Sequence, residues 1–240
     1  MIGGMATAGM VNPFMTCYDG RGERQIVKGL FDELIKRCEE NQAAIHPSKT
    51  GDGSPYGSYY EGYHRRHNNV TPFRSDYIQL VMLQMLEESG AEYLINTNIV
   101  DIVREEERVA GVIVFDGNDL RRYDAKIVID CTGDAIVSYK AGTIKEECKE
   151  DSGYDVQPMT MGFSIYNVDD AAIHQYAQDN PEQKGMLFQP QVEQAMREMG
   201  EKYIVPRNKI GLHKLLEPGE WNMNCSRIQK LNNTVPEEYA

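Results

Sequence analysis

The chain contains no G-x-G-x-x-G turn, no Walker phosphate loop, no G-x-S-x-G elbow and no H-E-x-x-H pair, so no sharp catalytic signature names its chemistry outright. It has no C-x-x-C spacing either. Its five cysteines (Cys17, Cys38, Cys131, Cys148 and Cys225) are scattered and odd in number, which argues against a disulfide framework or a cysteine-based zinc site. Reduced thiols fit a cytoplasmic protein. The most apolar runs, residues 125–132 and 78–86, are far shorter than the roughly 20 residues needed to cross a bilayer. The opening Met-Ile-Gly-Gly-Met-Ala-Thr lacks the basic flank and apolar stretch of a secretory signal. Positive charge is scarce. The 25 basic against 37 acidic side chains leave a net charge of -12, which opposes binding to a phosphate backbone or to anionic lipid. The expected partner is therefore a small molecule, with no nucleic acid and no membrane, and association of identical chains is left open.

At 240 residues the chain can bury a substantial core. Residues 1–22 are rich in Gly, Met, Ala and Thr and have no regular period. In residues 23–44 a stripe of Ile26, Val27, Leu30, Leu34 and Cys38 predicts a helix. From 46 to 72 the composition turns to Gly, Pro, Ser, Tyr and His, which predicts a long loop. Five rings between Tyr56 and His64 favour a functional one. Ser75 is placed to cap a second helix carrying Ile78, Val81, Met82, Met85 and Leu86, with Gly90 as its C-terminal cap. Short β-type runs follow at 93–97, 100–104, 109–115 and 120–123, with turns at Arg108 and Asp116-Gly117-Asn118. They predict one strand feeding an antiparallel meander. Residues 125–131 read as a strand covered on both faces, ended by Thr132-Gly133-Asp134, with a small helix after it. Beyond an acidic stretch, 159–168 predicts a strand and 169–178 a helix with an Asp cap. The shift in composition places a domain boundary near residue 155.

Three weaker features carry chemistry. In Gly3-Gly4-Met5-Ala6-Thr7-Ala8-Gly9, paired glycines and small residues let the backbone approach a ligand; a tight turn over small packed residues explains the same pattern. In Ile127-Val128-Ile129-Asp130-Cys131-Thr132-Gly133-Asp134, an apolar run ends in a glycine turn, where open α/β sheets place their ligands; a plain turn capped by Asp134 is the other reading. In Asn96-Thr97-Asn98-Ile99-Val100, after Gly90-Ala91-Glu92, the backbone is placed to meet an adenine ring, or to form an ordinary βα connection.

Taken in order with Phe73-Arg74-Ser75-Asp76 and Glu87-Glu88-Ser89-Gly90-Ala91-Glu92, these segments resemble the FAD-dependent oxidoreductases of glutathione-reductase type. The resemblance runs through about residue 145 and continues more faintly to Asn222-Met223-Asn224-Cys225-Ser226-Arg227. It implies an α/β fold: an incomplete three-layer FAD/NAD(P)-binding domain with a β-meander over residues 1–155, interrupted by an insertion at about 10–73, and part of a mixed α+β substrate domain over 156–240. It implies FAD, with Gly3, Gly4, Met5, Ala6 and Thr7 along the cofactor, Ile99 and Val100 beside the adenine, and Thr132, Gly133 and Asp134 closing over the dinucleotide. Family members open with a strand, a G-x-G-x-x-G turn, a helix and a second strand, and close with a segment returning to the flavin. The expectation is thus a chain that starts after the first of these and stops before the last, with Met1 an internal or artificial start.

A flavin performs the electron chemistry, so the protein need supply only orientation and charge. His64-Arg65-Arg66-His67 is the densest basic cluster. Arg65 could fork a substrate carboxylate while His64 moves a proton; a solvated basic patch is the competing reading. Two histidines alone do not make a metal site. Arg74 is placed to stabilise anionic reduced flavin or to form a helix-start salt bridge. Arg207 and Arg227 are substrate-domain candidates of the same kind. Cys17 reads as a redox partner or, more simply, a small buried hydrophobe. The expected activity is oxidation or reduction of a small organic molecule. The alternatives are a non-catalytic binding module using loop 46–72, and a flavin-fold enzyme with a non-redox or RNA-modifying role.

Overall fold

The computed structural model describes residues 2–51, 54, 56, 69–143, 159–183, 186–200 and 210–226. Helices and small antiparallel sheets alternate along it, consistent with an incomplete α/β domain. The chain divides into two compact units, one of residues 92–157 and one of residues 2–91 with 158–240.

The smaller unit is built on a meander of β1 (Asn98–Glu105), β2 (Arg108–Phe115) and β3 (Leu120–Asp124), paired antiparallel in chain order. Its turns are local. Glu106 takes a left-handed φ of 53° between β1 and β2, so that turn precedes Arg108, which already pairs with Glu105. Between β2 and β3 the Asp116 carboxylate accepts the amides of Asn118 and Asp119. Val103, Ala110, Val114 and Val137 are its buried hydrophobic side chains among the described residues, Val137 coming from the short helix α3 (Ile136–Lys140).

Two expected strands of this unit do not form. Residues 93–97 and 125–131 carry no ladder pairing, and Asn96 turns at a left-handed φ of 52°, although Ala125 keeps one bond to the Ala110 carbonyl. Ile127 and Ile129 are each 80% exposed. An apolar run shows that a segment suits burial, but a strand also requires a neighbour to accept its hydrogen bonds. Among the described residues neither segment has one.

The larger unit holds two cores. The first packs α1 (Leu30–Glu39) on α2 (Ser75–Ser89) through Ile35, Cys38, Ile78 and Val81, and buries Ala6, Ala43, Ala44 and Phe73 with them. Helix α2 runs as expected to Gly90, which caps it at φ 70°. Helix α1 is shorter than its apolar stripe predicts. Gly29 at φ 70° interrupts the backbone, and Ile26 and Val27 instead donate their amides to the Cys17 carbonyl. Asn12 stitches this core across 61 residues, its side chain bonding the Phe73 carbonyl at 2.5 Å and receiving the Phe73 amide at 3.4 Å.

The second core lies on a sheet ordered β4 (Phe163–Ile165), β7 (Trp221–Asn224), β6 (Ile210–Lys214), β5 (Met186–Leu187), all neighbours antiparallel. The expected strand 159–168 contracts to the three residues of β4. Register puts Ile165, Trp221, Met223 and Leu212 on one face, which packs against Ile173, Tyr176 and Ala177 of α4 (Asp170–Asp179). Asp169 caps α4 by accepting the Ala172 amide. Asp170 anchors it to the sheet, accepting Trp221 Nε1 at 2.8 Å, the Gly219 amide at 3.1 Å and Lys214 Nζ at 3.1 Å. The last helix, α5 (Gln189–Met199), follows β5. Ser164, Asn222 and His213 pair across the opposite face and make it polar. No helix of the described residues is long and apolar enough to cross a membrane.

Candidate cofactor-binding segments

The residues predicted to hold a cofactor are divided between the two units: Gly3, Gly4, Met5, Ala6 and Thr7 in the larger, Ile99, Val100, Thr132, Gly133 and Asp134 in the smaller.

The glycine-rich segment is wound on itself. Residues Gly4–Ala6 form a single 3-10 turn, and the amides of Ala6, Thr7, Gly9, Met10 and Val11 all donate to carbonyls of residues 3–7. The Thr7 hydroxyl donates to the Ile2 carbonyl at 2.6 Å and is buried. The glycines are demanded by this winding. Gly3 sits at φ 94°, and a side chain there would lie 2.5 Å from Thr7 Cγ2; at Gly9 it would lie 2.9 Å from the Met5 backbone. Met5 points outward, 67% exposed. The segment is also tied to the polar face of the second sheet. Buried Asn222 donates to the Met10 carbonyl at 3.0 Å, and Gly162 leaves room for the carbonyls of Gly9 and Met10. The Ala6 and Thr7 amides are thus committed within the segment itself.

In the smaller unit, Ile99 pairs with Val114 and Asp101 with Ile113, so Val100 is an extra residue at a bulge and turns outward. Bulges re-aim side chains in this way.

The Thr132-Gly133-Asp134 turn is organised by a residue that sequence reading did not single out. Asp130 Oδ1 accepts the Thr132 amide at 3.0 Å and the Thr132 hydroxyl at 2.7 Å; Oδ2 accepts the Ser138 amide and hydroxyl, both at 2.8 Å. Thr132 Oγ1 in turn accepts the Ile136 amide at 2.8 Å. The opening amides of α3 are therefore capped by Thr132 and Asp130, which removes capping as the reason for Asp134. The Ser138 amide, with the Thr132 hydroxyl behind it, holds the Asp130 carboxyl far below the usual carboxylate range. The signal was an Asp two residues before a Thr, a spacing that favours side-chain to backbone turns. The Ser138 half was not visible without the fold.

Gly133 is exposed, has an ordinary φ, and a side chain built on it would meet no atom of the described residues within 4 Å. Neither backbone strain nor internal packing explains a glycine here. The turn leaves its backbone open to close approach, as a dinucleotide site requires.

The reaction candidates fare differently. Arg74 is about half exposed and pairs with Asp76 at 3.0 Å; that hydrogen bond raises its pKa, with Glu217 and Glu220 adding further attraction. His64, Arg65, Arg66, His67, Arg207 and Arg227 lie outside the described residues. Cys17 is buried, and burial pushes its thiol upward against a hydrogen bond from Gln25, which keeps it in the unreactive protonated form. No group of three or more metal-ligating side chains occurs among the described residues.

No curated protein and no solved structure matches the chain. A family model described as FAD dependent oxidoreductase matches residues 1–238. With nearly the whole length matched, the chain belongs to the FAD-dependent oxidoreductase family, whose cofactor is FAD.

Proposed function

We propose that the chain binds FAD through the Thr132-Gly133-Asp134 turn, the Ile99-Val100 bulge and the glycine-rich Gly3, Gly4, Met5, Ala6 and Thr7, and that it serves the oxidation or reduction of a small organic substrate. The observation that carries the reading is Gly133, a glycine with room around it that its own chain does not use. When bound, the flavin supplies the electron-transfer chemistry. The residues of the chain then have three tasks. The Thr132-Gly133-Asp134 turn admits the dinucleotide to van der Waals range of the backbone. Met5 and Val100, each within its own unit, present apolar side chains at the surface. Arg74, with His64 and Arg65 from outside the described residues, are the proposed charge partners for an anionic substrate or for reduced flavin. Arg74 would perform this role by exchanging its exposed pairing with Asp76, a pairing of small worth at the surface.

The test is a titration of the purified chain with FAD, followed by flavin fluorescence and by the visible absorption spectrum. Saturable quenching with a shifted, resolved flavin band is expected. A linear response without saturation at high micromolar FAD would sink the reading.

A further inference from the structure

We infer that Asp130 is a positioning residue for the flavin dinucleotide: its carboxylate holds the Thr132-Gly133-Asp134 turn in the shape that presents Gly133 to the ligand. This rests on the reading that the turn meets FAD. Both carboxylate oxygens are doubly used, one for the amide and hydroxyl of Thr132 and the other for those of Ser138. One side chain thus ties the entry of the turn to the first turn of α3, six residues apart, and fixes what lies between. Ala135 is held there at φ 51°, a left-handed conformation that costs a residue with a side chain about 1 kcal/mol or more. The residues shaped by the clamp, Gly133 and Asp134, are exposed, and no atom of the described residues contacts the space beside Gly133. The clamp therefore sets the form of a surface that contributes little to the core. Its charge is secure: hydrogen bonding depresses the carboxyl so far that the clamp is present above that range and is lost only in strong acid.

The chemistry of the clamp sets the experiment. A carboxylate is acceptor-only, whereas the amide of Asn has one acceptor oxygen and two donor hydrogens. In Asp130→Asn the hydroxyls of Thr132 and Ser138 can rotate to accept, but their backbone amides cannot, so one amide is left facing a donor. The full chain is titrated with FAD as wild type, Asp130→Asn and Ser138→Ala, and each flavin-free protein is melted. The expected result is an FAD dissociation constant raised about tenfold by Asp130→Asn, the equivalent of one lost hydrogen bond to a charged group, and about threefold by Ser138→Ala. The flavin-free melting midpoints should fall by no more than about 4 °C, the size of one weakened helix cap. A purely structural role would lower the midpoint and leave affinity, measured well below it, unchanged. Equal affinity in wild type and Asp130→Asn overturns the inference and leaves the functional reading intact. No FAD binding by wild type overturns both. If Asp130→Asn does not fold, Ser138→Ala decides, and an unchanged dissociation constant there overturns the inference.

Discussion

In the glycine-rich segment the missing side chains are required by the chain itself, whereas at Gly133 the chain requires nothing. Gly3 is trapped by a left-handed φ and by Thr7 beneath it, and Gly9 by the Met5 backbone. Gly133 has an ordinary φ, and a side chain built on it meets no described atom within 4 Å. The same residue type therefore stands in two different settings: the fold demands it in one, and leaves it unconstrained in the other. The two features also differ in how they are held. The glycine-rich segment is wound by backbone hydrogen bonds, buried through Ala6 and Thr7, and tied by Asn222. The Thr132-Gly133-Asp134 turn is held by side chains at its two ends and is otherwise open.

The sharpest way to break this contrast is Gly3→Ala. The substitution asks a residue with a side chain to adopt φ 94° and places its methyl 2.5 Å from Thr7 Cγ2. Left-handed strain of about 1–2 kcal/mol and a similar packing penalty together predict a loss of roughly 2–4 kcal/mol. In a chain of this length that corresponds to a fall in melting midpoint of roughly 4–16 °C, read by circular dichroism. An unchanged midpoint would mean that the winding is not what demands the glycine.

A smaller effect is expected from Asn222→Ala. The Asn222 side chain is almost fully buried, and its amide satisfies the Met10 carbonyl where the segment meets the second sheet. Its removal leaves that carbonyl without its partner, at a cost of about 1–3 kcal/mol. Hydrogen exchange at the Gly9, Met10 and Val11 amides should accelerate, because the segment loses its anchor while its internal winding remains. Exchange that stays slow would show that the winding alone holds the segment, and the comparison would then rest on backbone geometry only.

How much of this was legible in the sequence depended on whether the relevant contact was local. Helix α2 with its Gly90 cap, the Asp169 cap and the meander all follow from neighbours within a few residues, and the structure has them. Residues 125–131 and 93–97 were misjudged as strands because apolar character says nothing about the presence of a pairing neighbour. The predicted helix over 23–44 lost its first turns to Gly29, whose positive φ only the folded chain reveals. At the site, the order Gly3-Gly4 and then Thr132-Gly133-Asp134 was readable as family pattern, and the family match spans both. The clamp was not, since it needs Ser138, which α3 brings back to Asp130. Nor could one sequence say which glycines were folding residues; that distinction needs the space around each one.

The finest test of the contrast is Gly133→Ala, because it predicts two readouts that move independently. With an ordinary φ and no described atom within 4 Å, the added methyl meets nothing and strains nothing. The change also reduces the freedom of the unfolded chain, which at compatible sites stabilises by about 0.4–1 kcal/mol. The flavin-free melting midpoint should therefore stay level or rise by roughly 1–4 °C. The same methyl occupies the space through which the turn would meet the dinucleotide, so FAD affinity should fall about tenfold or more, the scale of a lost close contact of 1.4 kcal/mol. A lower midpoint would show that Gly133 is a folding glycine after all, like Gly3. A level midpoint with undiminished FAD affinity would leave Gly133 unconstrained by the fold but move the flavin away from it, shifting the binding role to the Ile99-Val100 bulge and the glycine-rich segment.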